Sequence, residues 1–288
     1  MSSANKRPSI LFFGFSMAGA AVLRALIAAG ANIAAVYTYE DNPAENWFES
    51  VKNLALQNNI PVFTPESLSP ADIDNIRKIA PQIILSVYYR SLLPAEVLKL
   101  ALRGAYNIHG SYLPKYRGRA PVNWVLVNGE SETGATLHHM TARADAGDIV
   151  EQEKVKIAFE DDAFSLTKKV SAAAVGIIKR ALPLLENGPA PARPQDMAQS
   201  TRFGRRTPAD GRINWAWDAL KIYNLIRAVT KPFPGAFAQV DGKEIIIWRA
   251  KPLDKKSGLP AGGVALRAPF IIATGGNDLE ILEYEERL

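Results

Sequence analysis

The first 110 residues alternate short apolar runs with segments of helical periodicity, and that alternation leaves few folds open. The runs at 9–13, 33–37 and 60–63 read as strands, and 83–87 reads as a buried strand. Residues 16–29, 44–58 and 70–79 read as helices. Strands joined by helices build a parallel, doubly wound α/β sheet. Ligands in such sheets sit beyond the carboxyl ends of the strands. Segments 86–90 and 107–111 both fall at such ends and are expected to face one crevice. The GFSMAG turn at 14–19 lacks the G-x-G-x-x-G spacing, so a dinucleotide is not supported. Ser16 within it is expected to cap the following helix, whose free N–H groups suit a phosphate.

The pattern changes toward the carboxyl end. A long helix at 162–186, rich in alanine, is broken by NGPAP at 187–191, and polar residues continue to Ser200. The boundary is placed there, giving a first domain at 1–203 and a second at 204–288. After a helix at 217–229, five short apolar runs (236–240, 244–249, 264–266, 270–273 and 279–284) are separated by Gly and Pro. Such runs predict a small all-β domain.

Chemistry concentrates in NIHGSYLPKYRGRAP, residues 107–121. An apolar approach at 104–106 ends on Asn107 and His109, which share a face because strand side chains alternate with period two. An amide donor beside a general base is what acyl transfer needs: one holds a developing oxyanion, the other moves a proton. A plain polar strand end is the competing reading. Asp145 follows in RADAGD, 143–148, after the alternating strand-like run GATLHHM at 134–140. Small residues around an acid suit a tight loop near a ligand, and equally an ordinary turn.

These motifs, with YTYEDNP at 37–43, YYR at 88–90, RGRAPVNWVLVNGE at 117–130, FGRRTP at 203–208 and PFPGAF at 232–237, resemble the 10-formyltetrahydrofolate-dependent formyltransferases. Within that family the segments are most similar to enzymes that formylate UDP-4-amino-4-deoxy-L-arabinose. The resemblance implies a Rossmann-like catalytic domain with a mostly parallel sheet, then a small OB-like β-barrel. It implies a catalytic set of Asn107, His109 and Asp145. It places the folate cosubstrate, 10-formyltetrahydrofolate, against Tyr88, Tyr89, Arg90, Leu92 and the Asp145 loop. Ser111, Lys115, Tyr116 and Arg119 are its candidates for the amine substrate, the arginine because its planar fork suits phosphate. His138 and His139 are read as structural. In the bifunctional relatives a decarboxylase domain follows, so the chain is either a stand-alone relative or an excised domain.

Composition narrows the partners. The absence of cysteine removes disulfides, a thiol nucleophile and Cys-based metal sites, and the three histidines show no metal-binding spacing. No metal is expected. No apolar run reaches membrane-spanning length, and the amino end lacks the pattern of a secretory signal, so a cytoplasmic protein is expected. The net charge of +5 favours anionic small molecules, a nucleotide sugar and a folate, without choosing among them. Nucleic acid is disfavoured: where a tRNA formyltransferase carries a basic insertion, this chain has acidic EDNPAENWFE at 40–49. A methionyl-tRNA formyltransferase is nonetheless the nearest alternative. A formyltetrahydrofolate hydrolase and a non-catalytic nucleotide-sugar binding module are alternatives of other classes. A homo-oligomer is left open.

Overall fold

The computed structural model describes residues 7–287; residues 1–6, where a secretory signal was sought, lie outside the described residues, as does Leu288. The strands are β1 Ile10–Gly14, β2 Ile33–Tyr37, β3 Val62–Phe63, β4 Ile83–Val87, β5 Ala105–His109, β6 Arg117–Gly118, β7 Glu132–His139, β8 Ile149–Lys156 and β9 Arg202–Phe203. They are followed by β10 Ala236–Val240, β11 Lys243–Pro252, β12 Val264–Arg267, β13 Phe270–Ile272 and β14 Leu279–Glu286. The helices are α1 Ser16–Ala28, α2 Val51–Gln57, α3 Pro70–Ile79, α4 Ala95–Leu98, α5 Pro121–Val127, α6 Ala163–Asn187 and α7 Ala219–Val229.

Contacts divide the chain into two compact units. The first comprises Met1–Gly118, Glu132–Lys156 and Thr167–Arg202. Its sheet runs in the order β3-β2-β1-β4-β5-β7-β8. The first five of these strands are parallel and the last two antiparallel. Both β1 and β4 are buried at every residue, as central strands covered on both faces must be. Leu11, Phe13, Tyr37, Ile76, Ile84 and Val97 form much of the core on one side of the sheet.

The second unit gathers Arg119–Ser131, Ile157–Leu166 and Phe203–Leu288. Its five strands pair antiparallel in the order β10-β11-β14-β13-β12 and form a curled, OB-like half-barrel. Register shifts in the β11–β14 ladder supply local bends. Within this unit Trp124 packs on Phe203, donates its indole N–H to the Gly204 carbonyl and lies under the Arg206 guanidinium.

Two local expectations are corrected. Residues 44–58 are not one helix: a 3₁₀ turn at Pro43–Glu45 precedes α2, which begins only at Val51. Ser50 starts it by accepting from the Asn53 N–H while donating its hydroxyl to Asp41. Between turn and helix, Phe48 meets the Phe15 ring edge-on. Ser16 is likewise not a cap; it is the first residue of α1, at φ +61°, and Phe15 precedes it with no side-chain cap.

Leu85 lies fully buried at the centre of β4. Leu85→Ala is expected to cost about 3 kcal/mol from lost burial and the cavity left behind. Urea unfolding followed by tryptophan fluorescence checks this; a loss below about 1 kcal/mol contradicts a close-packed core there.

Candidate active site

Strand β5 delivers Asn107 and His109 to one face, as period two requires. Its two neighbours determine what surrounds them. Ser86 of β4 lies beside Asn107 in parallel register, while His138 of antiparallel β7 lies directly opposite Asn107. The chain leaves β7, passes through 140–148 and returns as β8, with His139 N–H donating to the Asp148 carbonyl. Asp145 adopts φ +56° in this loop. Gly147 is required by space: a Cβ there would lie 1.9 Å from the His139 carbonyl oxygen.

The result is a cluster of one amide, two buried imidazoles and one half-buried carboxylate. His109 Nδ1 lies 3.5 Å from Asp145 Oδ1, and His138 Nε2 lies 3.7 Å from the same oxygen. The other Asp145 oxygen accepts the Gly118 backbone N–H at 2.8 Å. Burial disfavours the Asp145 carboxylate, but His109, His138 and the Gly118 N–H outweigh it and hold the carboxyl well below the usual range.

Hydrogen bonds specify which nitrogen does what. His109 Nε2–H donates to the Tyr116 carbonyl at 2.8 Å, leaving Nδ1 to face Asp145. His138 Nδ1–H donates to the His139 carbonyl at 2.8 Å, and its Nε2 lies 3.2 Å from the Asn107 amide nitrogen. These tautomers are assigned from the acceptors each nitrogen meets. Asn107 keeps a second amide N–H for another acceptor.

His138 was expected to be structural; the structure places it inside this cluster. Its position was hidden because alternation says only that one of His138 and His139 faces inward. Which one meets Asn107 depends on the antiparallel register with β5. His139 packs on Tyr106 and bonds the Ala190 carbonyl.

The remaining sequence candidates are distributed as follows. Tyr88, at φ +58°, packs over Gly110, where a Cβ would meet its hydroxyl oxygen at 1.9 Å. That hydroxyl is buried without a hydrogen-bond partner among the described residues, and burial pushes its ionisation upward. Tyr89 stacks on Tyr39 and meets Phe13 edge-on. Arg90 pairs with Glu45 at 2.8 Å and lies 4.1 Å above the Phe15 ring. Leu92 is 73% exposed. Ser111 is fully buried, its hydroxyl donated to the Lys115 carbonyl, so it fastens the loop. Lys115 is exposed, and Tyr116 is buried at φ +59°. Arg119 is exposed and belongs to the second unit.

The acidic segment 40–49 is less negative than its sequence suggests, because Glu40, Glu45 and Glu49 pair with Lys52, Arg90 and Arg24. Part of it lines a cavity of about 270 Å³, with Phe15, Asp41, Asn42 and Phe48 among the walls. No group of three or more His, Asp or Glu placed to hold a metal occurs among the described residues, and no described helix is long and apolar enough to cross a membrane.

Comparison with known proteins gives two family matches. The profile described as formyl transferase matches residues 7–182, and that described as formyl transferase, C-terminal domain, matches 205–287. Among solved structures, WlaRD, a sugar 3N-formyl transferase in the presence of dTDP and 5-N-formyl-THF, is similar with a TM-score of 0.76 and 22% identity, over 98% of this chain and 99% of that one. An N-formyltransferase from Helicobacter canadensis, in complex with folinic acid and dTDP-3-aminofucose, has a TM-score of 0.76 and 20% identity, over 96% and 99%. HypX from Aquifex aeolicus with tetrahydrofolic acid has a TM-score of 0.65 and 21% identity, over 98% of this chain and 45% of that one. At these identities the likeness is one of fold.

A carboxylate held low contributes stability that is fully present above its unfolded pKa near 3.9 and is lost as pH falls through the folded value. Wild type is therefore expected to exceed Asp145→Asn in stability above about pH 5, with the gap closing toward pH 2. Urea titrations of both proteins across that range test it; a gap that stays constant in acid contradicts the assignment.

Proposed function

Because the chain belongs to the formyl transferase family, and so is a transferase of one-carbon groups, we propose that it moves a formyl group from 10-formyltetrahydrofolate to the amine of a nucleotide-linked amino sugar. The observation that carries this reading is the cluster of Asn107, His109 and Asp145, with one free amide N–H, one imidazole nitrogen facing a carboxylate, and no nucleophilic hydroxyl among them. Such a set suits direct attack by an amine.

The amine nitrogen bonds to the formyl carbon, and the carbonyl pair moves onto oxygen. The free N–H of Asn107 donates to that oxyanion. The proton lost by the attacking nitrogen passes to His109 Nδ1, where Asp145 stabilises the imidazolium. As the bond from carbon to N10 breaks, the proton moves to N10, releasing tetrahydrofolate and the formamide. In this reading His138 orients Asn107 through Nε2. Tyr88, Tyr89, Arg90, Leu92 and the Asp145 loop flank the folate, and Lys115 and Tyr116 lie on the amine side.

For the acceptor we favour UDP-4-amino-4-deoxy-L-arabinose, on the motifs at 37–43, 88–90 and 203–208. The dTDP and the dTDP-linked amino sugar bound by the two sugar formyltransferases described above make dTDP-linked sugars the other candidates. A tetrahydrofolate-release assay with UDP-4-amino-4-deoxy-L-arabinose, dTDP-linked 3-amino and 4-amino sugars, and methionyl-tRNA in parallel decides among them. Turnover with the UDP sugar above the others supports the proposal. Turnover only with tRNA, or formate release without any amine, overturns it.

In the same assay Asn107→Ala and His109→Ala are each expected to lose roughly a hundredfold or more in kcat while retaining folate affinity. Wild-type turnover in either variant removes that residue from the mechanism.

A further inference from the structure

The stretch between the two matched family segments contains Gln195, a side chain that is only 8% exposed. By sequence this stretch reads as a polar connector. Its contacts are those of a strap. Arg193 exchanges backbone hydrogen bonds with Ile149 in both directions, at 2.9 and 2.8 Å. The Thr201 hydroxyl accepts the Tyr116 N–H at 2.8 Å, and its carbonyl accepts the Arg117 N–H at 2.9 Å. Tyr116 is the residue whose carbonyl fixes His109.

Gln195 lies between these anchor points, and both ends of its amide are used. The amide nitrogen donates to the Asp145 carbonyl at 3.0 Å and the Gly147 carbonyl at 2.6 Å. The amide oxygen accepts from Nε and Nη2 of the buried Arg117, at 3.2 and 2.6 Å. Asp145 sits in the left-handed region, where a non-glycine residue persists only if its surroundings hold it. The two carbonyls that Gln195 binds belong to Asp145 itself and to the glycine two residues on.

We propose that Gln195 is a positioning residue for Asp145: by tying the Asp145 and Gly147 carbonyls to Arg117, it holds the carboxylate between His109 and the Gly118 N–H. The inference rests on the catalytic reading of Asp145. It concerns a residue that lies outside both matched family segments and that touches none of the reacting groups.

The chemistry of the amide provides a clean test. Gln195→Glu keeps an acceptor for Arg117 but loses both donors to the loop; Gln195→Ala loses everything and leaves the guanidinium buried without its partner. Because the alanine variant is at risk of not folding, Gln195→Glu is the decisive one. It is expected to fold and to melt near wild type. Its kcat is expected to fall at least tenfold, with KM for the amino sugar changed less than threefold. NMR hydrogen exchange at the Gly118 amide is expected to quicken at least tenfold, because its acceptor is no longer held in place. A folded Gln195→Glu with wild-type kcat and unchanged Gly118 exchange overturns the proposal. So does a kcat loss with Gly118 exchange unchanged. The exchange readout needs no substrate. If wild type formylates no amino sugar but the variant speeds exchange at Gly118, the functional reading fails and the positioning role stands.

Discussion

Everything around the cluster follows from burying one negative charge. An ionised carboxylate removed from water is costly unless charge and hydrogen bonds replace its hydration. Asp145 gains an N–H from Gly118 on one oxygen and two imidazoles near the other. Those partners come from three separate stretches of chain, β5, β6 and β7, so the charge is accommodated only where all three meet. The left-handed backbone at Asp145 and the lack of space at Gly147 are local costs of bringing the carboxylate there.

The antiparallel turn at the end of the sheet makes this assembly possible. A wholly parallel sheet would bring the residues beside Asn107 up through another helical crossover. Here β7 lies directly against β5, and a short excursion carries Asp145 back to the same two strands. The two imidazoles beside the charge therefore stand on neighbouring strands of one ladder.

What was legible in the sequence depended on range. Strands β1, β2 and β4 and helix α3 announce themselves through local periodicity, and Asn107 and His109 through period two within one strand. The split of 44–58 was not legible, because Phe48 packs on Phe15, a contact distant in sequence that local periodicity does not show. His138 was obscured for a related reason: its parity acquires meaning only once β7 is paired with β5. The strap at 193–201 looked like solvent-facing linker because polar composition alone does not distinguish a side chain bonded to water from one bonded to buried carbonyls.

The strap also bears on what counts as a separable module. Cutting the chain where the first family match ends, after residue 182, would keep every residue assigned to the chemistry. It would nevertheless discard the side chain on the Asp145 and Gly147 carbonyls and the threonine that binds the backbone at Tyr116 and Arg117. For transplantation or fusion, the smallest transferable piece is therefore bounded by hydrogen bonds rather than by similarity, and it extends through Thr201. A chimera joined upstream of that point would inherit the alphabet of the site without its grammar.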